Sequence, residues 1–173
     1  MRLTEGLTVR LTADIRYDAA PDAVFAMLCD EDFQAQRCVA TGALAHDVTI
    51  EEFDDGGVVV TAHRTMPNDQ VPDFVRTFVG QTLVVSEIQD WQAGDDRGNR
   101  EGTLVLEIKG APVRMTGTLS LVAEVPGTVE GIDGDLKASV PLVGGKIEKS
   151  VEPAIRAAIR VEEREGRVWL ARG

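Results

Sequence analysis

The chain has 173 residues, with 18 Lys plus Arg against 29 Asp plus Glu and a formal net charge of −11. That length supports a single domain over residues 1–173 with a substantial core. The acidity, with no basic run to offset it, argues against nucleic acid and anionic membrane as main partners. No apolar stretch approaches the roughly 20 residues needed to span a bilayer, and MRLTEGLTVRL lacks the apolar centre of a signal peptide. A cytoplasmic protein with no integral membrane association is expected, and the two cysteines, Cys29 and Cys38, read as free thiols.

Leu7, Val9, Leu11, Ala13, Ile15 and Tyr17 alternate with polar residues, the pattern of a half-buried strand. Pro21 suits a helix start, with Val24, Phe25 and Leu28 as its apolar face; Asp30-Glu31-Asp32 opens a second short helix. Period-2 alternation returns at Leu44, His46, Val48 and Ile50, and Asp54-Asp55-Gly56-Gly57 marks a hairpin. The next strand, Val58 to Thr65, has two plausible registers. One groups Val58, Val60, Ala62 and Arg64; the other groups Val59, Thr61 and His63. Between Met66 and Gly80 a short helix opens near Pro72, with Phe74, Val75, Phe78 and Val79 on one side. It is either a cover for an open end of the sheet or a lid over a cavity.

Four further strands follow, separated by turn chemistry at Gly94 to Gly98, Gly110-Ala111-Pro112 and Pro126-Gly127. The alternating sets are Thr82 to Trp91; Leu104, Leu106 and Ile108; Val113, Met115, Gly117, Leu119 and Leu121; and Ile132, Gly134, Leu136, Ala138 and Val140. Short turns between successive strands imply an antiparallel meander. Last comes Gly144 to Trp169, a long amphipathic helix whose expected apolar stripe is Ile147, Val151, Ala154, Ile155, Ala158, Val161, Val168 and Trp169. A kink is expected at Pro153, and Gly166 weakens the last turns.

Chemical motifs are sparse. Gly144-Gly145-Lys146 lacks the rest of a phosphate loop, with Val140 and Ile147 at its anchoring positions. His46 and His63 are the only histidines, and no spacing suggests a metal site, a cofactor or a nucleophilic triad. No catalytic residue is assigned. The informative residues are polar ones on apolar faces: His46 among Leu44, Val48 and Ile50, Arg64 in one register of its strand, and Glu87 between Val85 and Trp91. A buried charge is costly unless paired, so Arg64 and Glu87 on consecutive strands are expected either to pair toward a cavity or to stay outside it.

This order of elements, with Ala20-Pro21 opening the first helix and a long amphipathic helix closing the chain, resembles the helix-grip fold. That is the START-like superfamily, also called SRPBCC or polyketide-cyclase-like. Arg64 to Pro67, Pro72 to Gly80, Glu87 to Trp91, Gly110-Ala111-Pro112 and Pro141 to Glu148 resemble, more narrowly, an uncharacterised bacterial family of unknown function within it. The resemblance implies an α+β fold: a curved antiparallel seven-stranded sheet around the C-terminal helix, with two short helices after the first strand. It also implies a cavity between sheet and helix for a lipid, sterol or polyketide-like molecule. Trp91, Met115, Leu119, Ile147, Val151 and Ile155 would line it, with Phe74 and Phe78 at its mouth and His46, Arg64 and Glu87 as polar groups. The expected function is binding or transport of an apolar small molecule. The alternatives are a polyketide cyclase or aromatase-type enzyme, and an interaction module with a filled core. Nothing in the sequence sets the oligomeric state.

Overall fold

The computed structural model describes residues 8–69 and 71–173. Leu7, which the alternation places in the first strand, lies outside the described residues. The elements run β1 (Val9–Tyr17), α1 (Pro21–Leu28), α2 (Glu31–Ala40), β2 (Ala45–Glu52), β3 (Val58–Pro67), α3 (Asp73–Val79), β4 (Thr82–Trp91), β5 (Arg100–Lys109), β6 (Val113–Glu124), β7 (Gly127–Ala138) and α4 (Gly144–Ala171). The seven strands form one antiparallel sheet in the order β1-β7-β6-β5-β4-β3-β2. This is the expected helix-grip architecture.

Local chemistry explains the boundaries. Pro21 occupies the first turn of α1, where its missing N–H is no loss. Asp30 caps α2, its carboxylate accepting from the backbone N–H groups of Asp32 (2.8 Å) and Phe33 (3.1 Å). The α1–α2 pair carries the chain from β1 at one edge of the sheet to β2 at the other, which consecutive antiparallel neighbours would not require.

In β3 the buried residues are Val58, Val60, Ala62 and Arg64, which selects the first of the two registers. Leu104, Leu106 and Ile108 of β5, Met115 and Leu119 of β6, and Ile132 and Leu136 of β7 point the same way. Gly117 of β6 faces Gly134 of β7. A Cβ at Gly117 would overlap the Asp133 carbonyl and the Gly134 Cα. Gly117→Ala is expected to lower stability by about 1–3 kcal/mol, the usual cost of overpacking, read as a fall in thermal midpoint.

Helix α4 runs unbroken through Pro153 and packs over β1, β7 and α2. Its buried residues are Ile147, Glu148, Val151, Ile155, Glu162 and Gly166. That stripe differs from the expected one: Ala154 and Val168 are exposed, and two glutamates lie inside. Glu148 is buried because its Oε1 accepts the Ala138 backbone N–H at 2.9 Å, tying the start of α4 to the end of β7. Gly166 has a packing reason: a Cβ there would lie 2.7 Å from the Tyr17 ring. The last turns meet both β1, where Arg167 donates to the Arg16 carbonyl at 3.3 Å, and α2, where Trp169 is edge-on to Phe33 at 5.6 Å. The pairs Glu152–Arg156 (3.1 Å) and Glu163–Arg167 (2.6 Å) lie on the outer side and add only tenths of a kcal/mol each.

A buried charged cluster as the candidate functional site

Five ionisable side chains meet under α4, each from a different element: Arg37 of α2, Arg64 of β3, Glu87 of β4, Glu130 of β7 and Glu162 of α4. All are at most 6% exposed. Glu87 is the hub. Arg37 Nη2 donates to its Oε1 at 2.9 Å, Arg64 Nη2 to its Oε2 at 3.3 Å, and Gln89 Nε2 to its Oε1 at 2.8 Å. Trp91 Nε1 in turn donates to Gln89 Oε1 at 3.0 Å. Arg37 Nη1 closes the chain onto Glu162, so one guanidinium clamps α2 to both the sheet and α4.

The register explains this convergence. Glu87, Gln89 and Trp91 alternate along β4 on its inner face, and Arg64 reaches Glu87 from the neighbouring strand. On β7, Glu130 is in phase with Ile132, Gly134 and Leu136. On α4, Glu162 lies seven residues from Ile155, two helical turns along the same face.

Electrostatics divide the carboxyl groups. Burial pushes Glu87 up, but Arg37 and Arg64, with hydrogen bonds from Arg37 and Gln89, outweigh it and hold the carboxyl at about 2. Burial likewise opposes charge on Arg37, but Glu87 and Glu162 override it and keep the guanidinium firmly protonated. Glu130 goes the other way. Burial first, and then the nearby charge of Glu162, raise Glu130 well above the ordinary carboxylate range, with Arg37 only partly opposing. Among the described residues neither Glu130 oxygen has a protein donor, and Glu162 Oε1 also has none. A proton on Glu130 would leave two arginines facing two carboxylates.

Between the sheet and α4, against this cluster, is a small, partly open cavity of about 40 Å³. One wall is polar, made by the five charged residues and Gln89. The other is apolar and includes Met115, Leu119 and Ile155. Of the residues expected at a ligand site, Arg64, Glu87, Met115, Leu119 and Ile155 thus surround one cavity. Ile147 and Val151 are buried further toward the start of α4, and Trp91 is packed edge-on to Phe25 at 6.0 Å. Phe74 is half-buried and Phe78 exposed on α3, which covers one end of the sheet. His46 is exposed. It stands opposite Arg64 in register, but on β2, the edge strand, its side chain stays open to solvent. Arg37, Gln89, Glu130 and Glu162 were not anticipated. Among the described residues no group of three His, Cys, Asp or Glu side chains is arranged to hold a metal ion.

The family described as "Protein of unknown function (DUF2505)" matches residues 12–170. The chain belongs to this family. A curated relative, the uncharacterized protein Rv0481c of Mycobacterium tuberculosis, is 24% identical over 119 residues, 68% of each chain. Among solved structures, the Zhui aromatase/cyclase from a Streptomyces species is similar with a TM-score of 0.63 and 13% identity, over 96% of this chain and 95% of that one. A START superfamily protein from Mycobacterium smegmatis is similar with a TM-score of 0.54 and 13% identity, over 89% and 94%. At such identities the likeness carries the fold, which is START-like, and no activity.

Proposed function

We propose that the protein binds a small apolar molecule bearing a polar end, with the apolar body between sheet and α4 and the polar end at Arg64 and Glu87. The observation that supports this most is the convergence of five buried ionisable groups on one internal space. Such groups contribute little net stability compared with a well-packed apolar core, so a specific use explains them better than packing does. Arg64 is the natural contact. Among the described residues the Nε of either arginine has no protein acceptor, but both Arg37 Nη groups are committed to carboxylates, whereas only Nη2 of Arg64 is.

The cavity's 40 Å³ is far below the roughly 300–1,000 Å³ of drug-sized ligand sites. A ligand larger than a few waters therefore enters only as the covering elements move. Helix α3, at the end of the sheet and outside the cavity lining, is loosely held: only Val75 is fully buried, and its packing against other elements is sparse. Native mass spectrometry of the purified protein, followed by extraction, tests the reading. A stoichiometric apolar passenger is expected. Arg64→Met should then weaken its binding roughly 10–100-fold, the worth of a charged hydrogen bond, while Arg37 and Gln89 still hold Glu87. A clean protein mass, with no uptake from a panel of fatty acids, sterols and aromatic polyketides, would favour a filled-core interaction module.

One observation supports a second reading, a cyclase-type enzyme. Glu130 lines the cavity next to a second carboxyl group, and burial with the charge of Glu162 raises its affinity for a proton, the arrangement of a general acid. Turnover abolished by Glu130→Gln with ligand affinity retained would establish it; unchanged turnover would remove it.

A further inference from the structure

The end of the molecule where β7 passes into α4 combines exposed apolar side chains with gathered positive charge. Leu142 is fully exposed, with a backbone φ of 70°. A leucine in that left-handed region is strained where glycine would be relaxed. An exposed side chain that strains its own backbone does nothing for the fold, so its use lies outside the fold. Val143 beside it is 38% exposed and Phe78 of α3 is 41% exposed. Helix α3 belongs to the same end: Lys146 Nζ sits 4.9 Å from the centre of the Phe74 ring, and the Phe78 carbonyl lies against Gly110 in the β5–β6 turn.

The chain has four lysines, and all lie at this end. Lys109 ends β5, Lys137 is next to last in β7, and Lys146 and Lys149 lie in the first turns of α4. Lys109 pairs with Glu107, as Arg114 does, and Arg76 pairs with Asp73. Among the described residues Lys137, Lys146 and Lys149 make no ion pair. Asp69 and Asp135 are acidic residues set against them here. Elsewhere the molecule carries the acidic excess behind its net charge of −11. The opposite end provides a contrast. Val125, in the β6–β7 turn, is just as exposed, but its neighbour is Glu124 and no lysine is near. An open depression of about 520 Å³, with Lys109, Arg114 and Lys137 facing Glu107 and Asp135 in its wall, also reaches this end.

We propose that this end docks on an anionic lipid surface, with Leu142, Val143 and Phe78 inserted at the headgroup boundary and Lys137, Lys146 and Lys149 facing the lipid phosphates. Apolar side chains supply insertion and lysines supply attraction to the charged surface, the two components that peripheral binding combines. Among the described residues no helix is long and apolar enough to cross a membrane, so the association is superficial. Global net charge does not oppose it, because charges beyond a Debye length of about 8–10 Å are screened. This inference is independent of the cavity reading, since it concerns the surface alone.

Co-sedimentation with two kinds of vesicle tests it. One is pure phosphatidylcholine; the other contains about one-third phosphatidylglycerol, an anionic lipid. Binding is expected to the anionic vesicles only and to be released at about 0.5 M salt. Leu142→Gly should reduce partitioning about tenfold by removing the inserted side chain. It suits the backbone better than leucine, so its thermal midpoint should be unchanged or higher, which excludes misfolding as the cause. Lys137→Glu with Lys149→Glu should abolish binding, and Val125→Thr at the opposite end should not alter it. Failure to bind anionic vesicles overturns the proposal, as does binding that Leu142→Gly leaves intact. A solution dimer that Leu142→Gly disperses, without vesicle binding, would also overturn it and assign the patch to a second copy of the chain.

Discussion

Replacing Arg37 with leucine is expected to destabilise the protein by about 3–5 kcal/mol, the cost of leaving a buried charge without its partner. For a chain of this size that corresponds to a fall of roughly 6–20 °C in thermal midpoint. Arg37 is 4% exposed and binds Glu87 and Glu162 together. After its removal Glu87 keeps Arg64 and Gln89, but Glu162 keeps no cationic partner among the described residues. The effect should therefore be relieved by a second substitution. In Arg37→Leu with Glu162→Leu, the uncompensated carboxylate is gone and much of the loss should return. A single variant melting within about a degree of the parent would contradict the clamp role, since surface substitutions behave that way. The same network predicts acid sensitivity. Glu87 is held at about 2 against an ordinary 4.5, so its contribution is present above about pH 4.5 and is lost as pH falls toward 2. Circular dichroism melts across that window would register the loss.

The strands were legible in the sequence because one face of the sheet is buried, and a half-buried strand repeats every two residues. The same rule held more information than the apolar residues alone convey. Gln89 stands between Glu87 and Trp91 on one face of β4, and Glu130 continues the alternation that Ile132, Gly134 and Leu136 begin. Reading only apolar members of a face ends it too early when a buried polar cluster continues it. On α4 the expected stripe took in Ala154 and Val168 because they are apolar. The contact line instead runs through Glu148 and Glu162, whose burial depends on partners distant in sequence. Arg37 had the weakest signal. It follows the buried Phe33 by four residues on α2, but nothing local says that a guanidinium there finds two carboxylates contributed by residues 87 and 162. His46 shows the converse limit. Its strand alternates correctly, yet an edge strand has no neighbour beyond it, and period alone does not distinguish edge from centre.

Glu130→Gln is expected to raise stability at neutral and alkaline pH, by on the order of 1–3 kcal/mol at pH 8, the penalty of a buried group left uncompensated. Glu130 faces Glu162 of α4, with Tyr17 of β1, Arg37 of α2 and Glu87 of β4 as the other titratable groups nearby. Only Arg37 favours the ionised form. The folded protein therefore holds the Glu130 proton to a higher pH than the unfolded chain does. The protonated arrangement is fully stabilising below about pH 4.5. That stability is lost as pH rises, because the unfolded chain releases the proton first and the folded state gives it up only at the raised value. Glutamine keeps the shape and a donor toward Glu162 but has no proton to lose, so its stability should stay flat over the range where the parent declines. Crossing of the two stability curves near pH 4.5, with the variant above the parent at higher pH, is the expected result. Parallel curves would mean that Glu130 is charged in the folded state. The proton also links stability to the site. A charged Glu130 beside Glu162 would push β7 and α4 apart at the cavity wall, so ligand affinity in the parent should fall over the same pH range and in Glu130→Gln should not.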